Sequence, residues 1–186
     1  KGTSDRAVKP ADLAATREIE TLNAAEAYGL ADVVFLRMKD QGLEDNDEFR
    51  EKLVRQIRIH KPRLLLTIDP NRPYIRPRDH SMTGRVALDA VFPYARDHVA
   101  YPEHLEEGID PHKVEEVWLF RPEQPNIHVD VTEHFETRQN ALHSHVSQVG
   151  ERSDERDERS RKRLAETGKK YDVELAEQFM KIEIGY

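Results

Sequence analysis

Short, almost uninterrupted apolar segments alternate along this chain with segments of helical periodicity, and this alternation restricts the fold more than any other feature. Residues 63–69, with the sequence RLLLTID, are too few for a typical helix and apolar through their centre, which is typical of a strand buried on both faces. Such strands belong to parallel sheets, because crossover helices cover both faces of those sheets. The pattern therefore predicts an α/β fold with a mostly parallel sheet and helices on both of its faces.

Four strands and four helices are predicted before residue 150. The strands are residues 32–38, 63–69, 116–120 and 126–131, and the helices run from 10 to 29, 46 to 59, 80 to 95, and 132 or 137 to 147. The mixed-charge run 151–163 is typical of an exposed helix face with i,i+4 ion pairs, more than of a binding tail. Residues 171–182 fit a docking helix or a helix–strand end, so a helical C-terminal segment is predicted.

The composition excludes several classes of protein. The 186 residues suit one domain, and 29 basic against 36 acidic side chains give a net charge of −7, which argues against a general nucleic-acid binder. The chain has no cysteine, so disulfides, thiolate metal sites and a cysteine nucleophile are excluded. No run approaches the ~18 apolar residues of a membrane span, and no signal-peptide core is present. We therefore expect a soluble, cytoplasmic protein without a membrane span.

The most informative group of side chains suited to chemistry lies where the second predicted strand ends. Residues 67–80 leave a buried strand, contain acids, a tyrosine and a histidine, and end at a predicted helix start. Open α/β sheets bind ligands at such loops. The imidazole of His80 can coordinate Zn²⁺, with Asp69 or Asp79 available for hydrogen bonds to the site. The alternative is that Asp79 is only a helix cap and His80 an ordinary first-turn residue.

Several groups of residues occur in the order of one enzyme family over residues 1–148. They are Thr3-Ser-Asp-Arg6, Arg17-x-x-Glu20, Val33-Val-Phe-Leu36, Leu64-Leu-Leu-Thr-x-Asp-Pro70, Asp79-His-x-x-x-Gly84-Arg-x-Ala-x-Asp-Ala90, Pro111-His-x-Val-x-Glu-Val117 and Ala141-Leu-x-x-His145-x-Ser-Gln148. This order resembles the PIG-L/LmbE-like de-N-acetylases. The resemblance implies a Rossmann-like fold and a zinc-dependent enzyme that removes an acetyl group from an N-acetylglucosamine-type amide.

The resemblance also implies roles for five residues. His80 matches the last His of the family's His-Pro-Asp-His motif, which is a zinc ligand, and Asp79 matches the preceding Asp, which orients a catalytic group. Arg17 and Asp40 match positions that contact the sugar, and Tyr74 lies close to a tyrosine implicated in some relatives. The expected partners are an N-acetylated sugar or small glycoside and further copies of the chain, in a trimer or hexamer.

Three departures from the family pattern limit these expectations. No counterpart of the family's His-Pro-Asp-Asp-Glu motif is present, so residues 1–186 look like a single domain that is N-terminally truncated relative to the family. Pro77 replaces the first His of His-Pro-Asp-His, which leaves Tyr74, Arg76 or Arg78 as candidate donors to an oxyanion. The family's Asp-Gly-x-Leu appears as Asp40-Gln41-Gly42-Leu43. The alternative to an enzyme is a non-catalytic member of the fold, acting in binding or assembly.

Overall fold

The computed structural model describes residues 7–74 and 77–185. They divide into two compact units, unit 1 within Lys1–Phe35 and Val129–Glu177 and unit 2 within Leu36–His128 and Gln178–Tyr186. Residues 3–6, which form one of the motifs above, lie outside the described residues. So does Arg76, one of the candidate donors to an oxyanion. The assignment of a single domain to residues 1–186 stays a prediction.

One four-stranded sheet has the order β1-β2-β4-β3. Its strands are β1 (Leu64–Ile68), β2 (Glu116–Phe120), β3 (Ile127–Asp130) and β4 (Ala176–Glu183). β1 pairs parallel to β2, with Leu66 opposite Trp118, whereas β2 pairs antiparallel to β4, with Trp118 opposite Lys181. The α/β class is confirmed, but the prediction of a mostly parallel sheet is wrong, because apolar patterning records how buried a strand is and not its direction.

The predicted helical C-terminal segment and the first predicted strand are both wrong. The C-terminal segment is β4, so the strand end is the correct one of the two alternatives left open for residues 171–182. Residues 32–38 form no strand, and Val34 among them is 46% exposed. Branched and aromatic residues favour extended backbone, but a strand also needs a hydrogen-bonded neighbour. No strand of the described residues supplies that neighbour.

Unit 2 contains the helices α2 (Asp47–His60), α3 (Arg78–Val91) and α4 (Glu103–Glu106). The Asn46 side chain accepts a hydrogen bond from the Phe49 N–H and caps α2, which settles the choice that the sequence leaves open between Asn46 and Asp47. α3 ends four residues before its predicted end, because Phe92 precedes Pro93 and a residue before proline is disfavoured in a helix. The core of this unit joins α2, α3 and β2 through Val54, Ile57, Ala90, Val91, Ala95, Val114, Val117 and Leu119.

A buried guanidinium organises the segment after α3. Arg58 of α2 is 1% exposed, and it donates to the backbone carbonyls of Tyr94, Ala95, Asp97, Ala100 and Tyr101. Its Nη1 also lies 3.1 Å from His104 Nδ1. Because a guanidinium only donates, Nδ1 accepts and the His104 proton is on Nε2, 2.7 Å from Glu51 Oε1. Burial lowers the pKa of Arg58.

Unit 1 contains α1 (Pro10–Tyr28), α5 (Phe135–His143), α6 (Val146–Val149) and α7 (Asp154–Gly168). α1 has its predicted bounds, and Gly29, with a φ of 67°, ends it in the left-handed conformation that glycine adopts freely. Its buried residues are Leu13, Glu20, Ala24 and Ala25. Ile19 and Leu22, whose spacing contributed to the helix prediction, are 61% and 50% exposed. Periodicity therefore identified the helix without identifying its buried side.

α7 carries the mixed-charge run on a helix, as predicted, and Arg159 pairs with Glu155 at i,i+4 with an N–O distance of 3.7 Å. Asp157, on the same helix, is bound to α5. Its Oδ1 accepts hydrogen bonds of 2.6 Å from His143 Nε2 and from Gln139 Nε2.

The carboxylate of Asp157 is held in its charged form by its donors. Arg152 Nε donates to the remaining oxygen, Oδ2, over 3.0 Å. Partial burial acts to raise the pKa of Asp157, but the hydrogen bonds from His143, Gln139 and Arg152 outweigh it and lower the pKa.

None of the helices in the described ranges has both the length and the apolar character that crossing a membrane requires.

Candidate functional site

The first turn of α3 lies at the carboxyl end of β1. α3 packs on β1. Its Gly84 is buried against Ile68, the last residue of the strand, and against Pro70. The first turn of α3, with Arg78, Asp79 and His80, precedes Gly84 by about one helical turn. These residues therefore lie at the carboxyl end of the strand, the edge of the sheet at which open α/β folds bind ligands.

Residues 39–44, called the Asp40 loop from here on, are bound to this first turn at two points. The N–H of Gln41 donates to Asp79 Oδ2. Arg78 Nη1 donates to the carbonyl of Leu43 over 2.6 Å, and Arg78 Nη2 lies 3.4 Å from the Glu44 carboxylate. Asp40 precedes Gln41 in sequence, so its backbone adjoins the point at which the loop is attached to Asp79.

The second carboxylate oxygen of Asp79 is an acceptor without a donor in the described residues. Oδ1 is buried and makes no hydrogen bond there. A buried polar atom left in this way costs roughly 1–3 kcal/mol. Pro77, two positions earlier, caps α3 without a side-chain hydrogen bond and has no donor to offer. Asp79 Oδ1 is therefore suited to accept a hydrogen bond from a ligand or from a group beyond the described residues.

His80 and Tyr74 both face solvent. The His80 imidazole is exposed, and Tyr74 is 96% exposed with a φ of 60°. Of the predicted donors to an oxyanion, Arg78 is engaged by Leu43 and Glu44, and Arg76 lies outside the described residues. An exposed Tyr74 hydroxyl keeps its hydrogen-bonding capacity for a ligand.

Arg17 lies on α1 in unit 1, whereas Asp40, Tyr74, Asp79 and His80 belong to unit 2. Arg17 Nε is 3.5 Å from Ser147 Oγ. The contact of Arg17 with a sugar stays a prediction.

Glu20, one turn after Arg17, was not expected to have a role, and the structure gives it one in unit 1. Its carboxylate is 7% exposed and accepts from the N–H and the hydroxyl of Ser147 over 2.6 and 2.7 Å. Glu20 therefore holds the start of α6. In the sequence, Glu20 and Ser147 each belong to a motif of the resemblance, but nothing in their spacing showed that the two side chains meet.

The described residues do not complete a metal site by themselves. Across residues 7–74 and 77–185, no three His, Asp or Glu side chains come together in a group that could hold a metal ion. Catalytic zinc sites have three protein ligands. His80 can supply one imidazole, so zinc binding stays a prediction that needs ligands from elsewhere.

Comparisons with known proteins give concordant results. Residues 1–91 match the family model described as PIG-L, GlcNAc-PI de-N-acetylase. The chain is 31% identical over 150 residues to the diacetylchitobiose deacetylase of Thermococcus kodakarensis, and this alignment covers 81% of the chain and 56% of that protein. The chain thus spans little more than half the length of this curated relative.

Solved structures show a shared fold. The N,N'-diacetylchitobiose deacetylase of Pyrococcus horikoshii has a TM-score of 0.87 and 26% identity, covering 98% of this chain and 68% of that one. A conserved protein of Thermus thermophilus has a TM-score of 0.76 at 24% identity, over 96% of this chain and 77% of its own. The 4-carboxy-2-hydroxymuconate hydratase of Pseudomonas putida has a TM-score of 0.75 at 17% identity, over 98% and 78%. At these lower identities the last two show a common fold alone.

Proposed function

This chain is a relative of the PIG-L de-N-acetylases, and on that premise we propose that it removes an acetyl group from an N-acetylated sugar or small glycoside. The names of the similar proteins support this substrate class. The observation that carries the proposal is the attachment of the Asp40 loop to the first turn of α3. It attaches the loop that contains Asp40 to the helix turn that contains Asp79 and the exposed His80, which supports a shared site for these residues.

Each of these side chains has a task in the proposed reaction. Asp40 accepts hydrogen bonds from sugar hydroxyls and so orients the substrate. His80 is one ligand of a zinc ion whose other ligands lie outside the described residues. When bound, zinc polarises the amide carbonyl and lowers the pKa of its water to about 7. Asp79 positions a donor through Oδ1, the buried oxygen that has no partner in the described residues. From the same relationship we also propose that the enzyme is cytoplasmic and assembles as a trimer or hexamer.

A non-catalytic sugar-binding or assembly protein is the second candidate. Pro77 favours it, because the resembling family has a histidine with a side-chain donor at this position. The incomplete ligand set of the described residues also favours it. This alternative retains the Asp40 loop and its contacts but predicts neither bound metal nor released acetate.

Metal content separates the two candidates. We would load this chain, and a form extended upstream, with zinc, pass each through gel filtration and measure zinc per chain and acetate released from N-acetylglucosamine and diacetylchitobiose. We expect about one zinc ion per extended chain, its loss in His80→Ala, and its retention in His60→Ala, a matched change at an exposed histidine of α2. A folded extended chain that binds no zinc and releases no acetate contradicts the enzyme and favours the binding protein.

A further inference from the structure

We propose that Arg78 is a positioning residue of the candidate site, which fixes the Asp40 loop and through it the carboxylate of Asp40. In the family pattern the residue before Asp-His is proline, which has no side-chain donor, so the resemblance assigns no such role to this position. The inference rests on the proposed function only where it takes Asp40 to bind the sugar.

The two attachments of the loop hold the residues directly before and after Gly42. Asp79 accepts from the backbone N–H of Gln41, and Arg78 donates to the backbone carbonyl of Leu43. Two hydrogen bonds on either side of a residue restrict its orientation more than one does. Arg78 therefore supplies the constraint that Asp79 alone does not.

The backbone of Gln41 explains why a second attachment is needed. Gln41 has a φ of 58°, a left-handed conformation that costs free energy for a residue with a Cβ atom. In the family pattern this position, directly after the Asp, is glycine, which adopts that conformation freely. The chain thus combines a less favourable loop residue with an arginine that ties the loop down. The two departures from the pattern compensate each other.

The bond to the Leu43 carbonyl carries this role more than the ion pair does. Arg78 and Glu44 are 56% and 67% exposed and their charged groups lie 3.4 Å apart, a geometry in which an ion pair contributes little. The carbonyl bond is shorter, at 2.6 Å, and its donor is charged. Removal of Glu44's charge should therefore leave the loop in place, whereas removal of the guanidinium should release it.

The test compares four variants of the zinc-loaded form extended upstream, by amide hydrogen exchange and by steady-state kinetics. We expect Arg78→Ala to speed exchange of the Gln41 amide about five-fold and to raise KM for an N-acetylated sugar about five-fold, with kcat nearly unchanged. Arg78→Lys keeps a donor and should recover part of both effects. Glu44→Gln and Arg85→Ala, the latter an exposed arginine of the same helix, should resemble the unaltered chain.

Three results would overturn the proposal. Unchanged Gln41 exchange in Arg78→Ala would show that Arg78 does not hold the loop. An equal increase in Arg85→Ala would assign the effect to general destabilisation, and a fall in kcat without a change in KM would assign Arg78 to the chemistry. If the zinc-loaded extended form without a substitution neither binds nor hydrolyses the sugar, the proposed function fails, while Gln41 exchange still decides whether Arg78 fixes the loop.

Discussion

Gly84 of α3 lies against the backbone of Ile68 at the end of β1, so closely that a Cβ atom on Gly84 would be 2.2 Å from the Ile68 carbonyl oxygen. Gly84→Ala should therefore destabilise the chain by about 2–3 kcal/mol, because the helix must move off the strand. Alanine is otherwise favoured over glycine within a helix by up to about 1 kcal/mol, so the loss would outweigh that gain. Urea unfolding followed by circular dichroism measures the change.

Gly42→Ala is the control for this substitution. The three atoms nearest to a Cβ atom there would belong to the side chain and carbonyl of Lys39, at 3.4 to 3.5 Å, which is ordinary contact. Its free energy of unfolding should change by less than about 0.5 kcal/mol. Equal stabilities for the Gly84→Ala and Gly42→Ala chains would disprove the close contact of α3 with β1.

Arg58→Met should cost about 3 kcal/mol or more of unfolding free energy. Methionine fills much of the buried volume but donates no hydrogen bond, so several carbonyls between Tyr94 and Tyr101 lose their donor. Arg63→Met is a matched change at a side chain that is 76% exposed, and it should cost less than about 0.5 kcal/mol. Chemical denaturation of both variants checks the difference, and a small loss at Arg58 would refute the role of its guanidinium.

The pKa of Asp157 predicts a loss of stability in acid. Its pKa in the folded chain lies below the ordinary value of 3.8, so the folded state favours the charged carboxylate. The stabilisation is present above that value and disappears as the pH falls through the folded-state pKa. The stability difference between the unaltered chain and Asp157→Asn should therefore shrink below about pH 4. A difference that is constant from neutral pH to about pH 3 would contradict this assignment.

Two leucines of α1 test which side of the helix is buried. Leu13 is 7% exposed, so Leu13→Ala should cost about 2–3 kcal/mol, whereas Leu22, at 50% exposed, should lose less than about 1 kcal/mol on the same change. Both variants alter helix propensity equally, so the difference reports burial. Thermal and urea unfolding provide the comparison, and similar losses at both positions would be inconsistent with this orientation of α1.

Local patterns in the sequence predicted much of the fold. β2 has its predicted bounds, and α2 lies within one residue of its predicted bounds at each end, because both signals lie within a few residues. The direction of β4 and the absence of a strand at residues 32–38 depend on partners far along the chain. Patterns within a short window contain no information about such partners.

The candidate site was predictable in part. The resemblance singled out Asp40, Asp79 and His80, and the structure brings the Asp40 loop to the first turn of α3, although their roles stay predictions. The bond from Arg78 to Leu43 joins residues 35 apart in sequence and uses a backbone carbonyl, which any residue possesses. Such a contact leaves no trace in residue types, so only a structure can reveal it.

The sheet order has a consequence for synthesis of the chain on the ribosome. β2 and β3 are close in sequence, yet β4 lies between them. After residue 175 has emerged, the nascent chain contains the residues of three of the four strands but lacks β4, which joins β2 to β3. The four-stranded sheet is therefore complete only after β4 has been translated, and until then β2 and β3 lack the hydrogen-bonded neighbour that β4 supplies, which leaves strand edges that can pair with other chains.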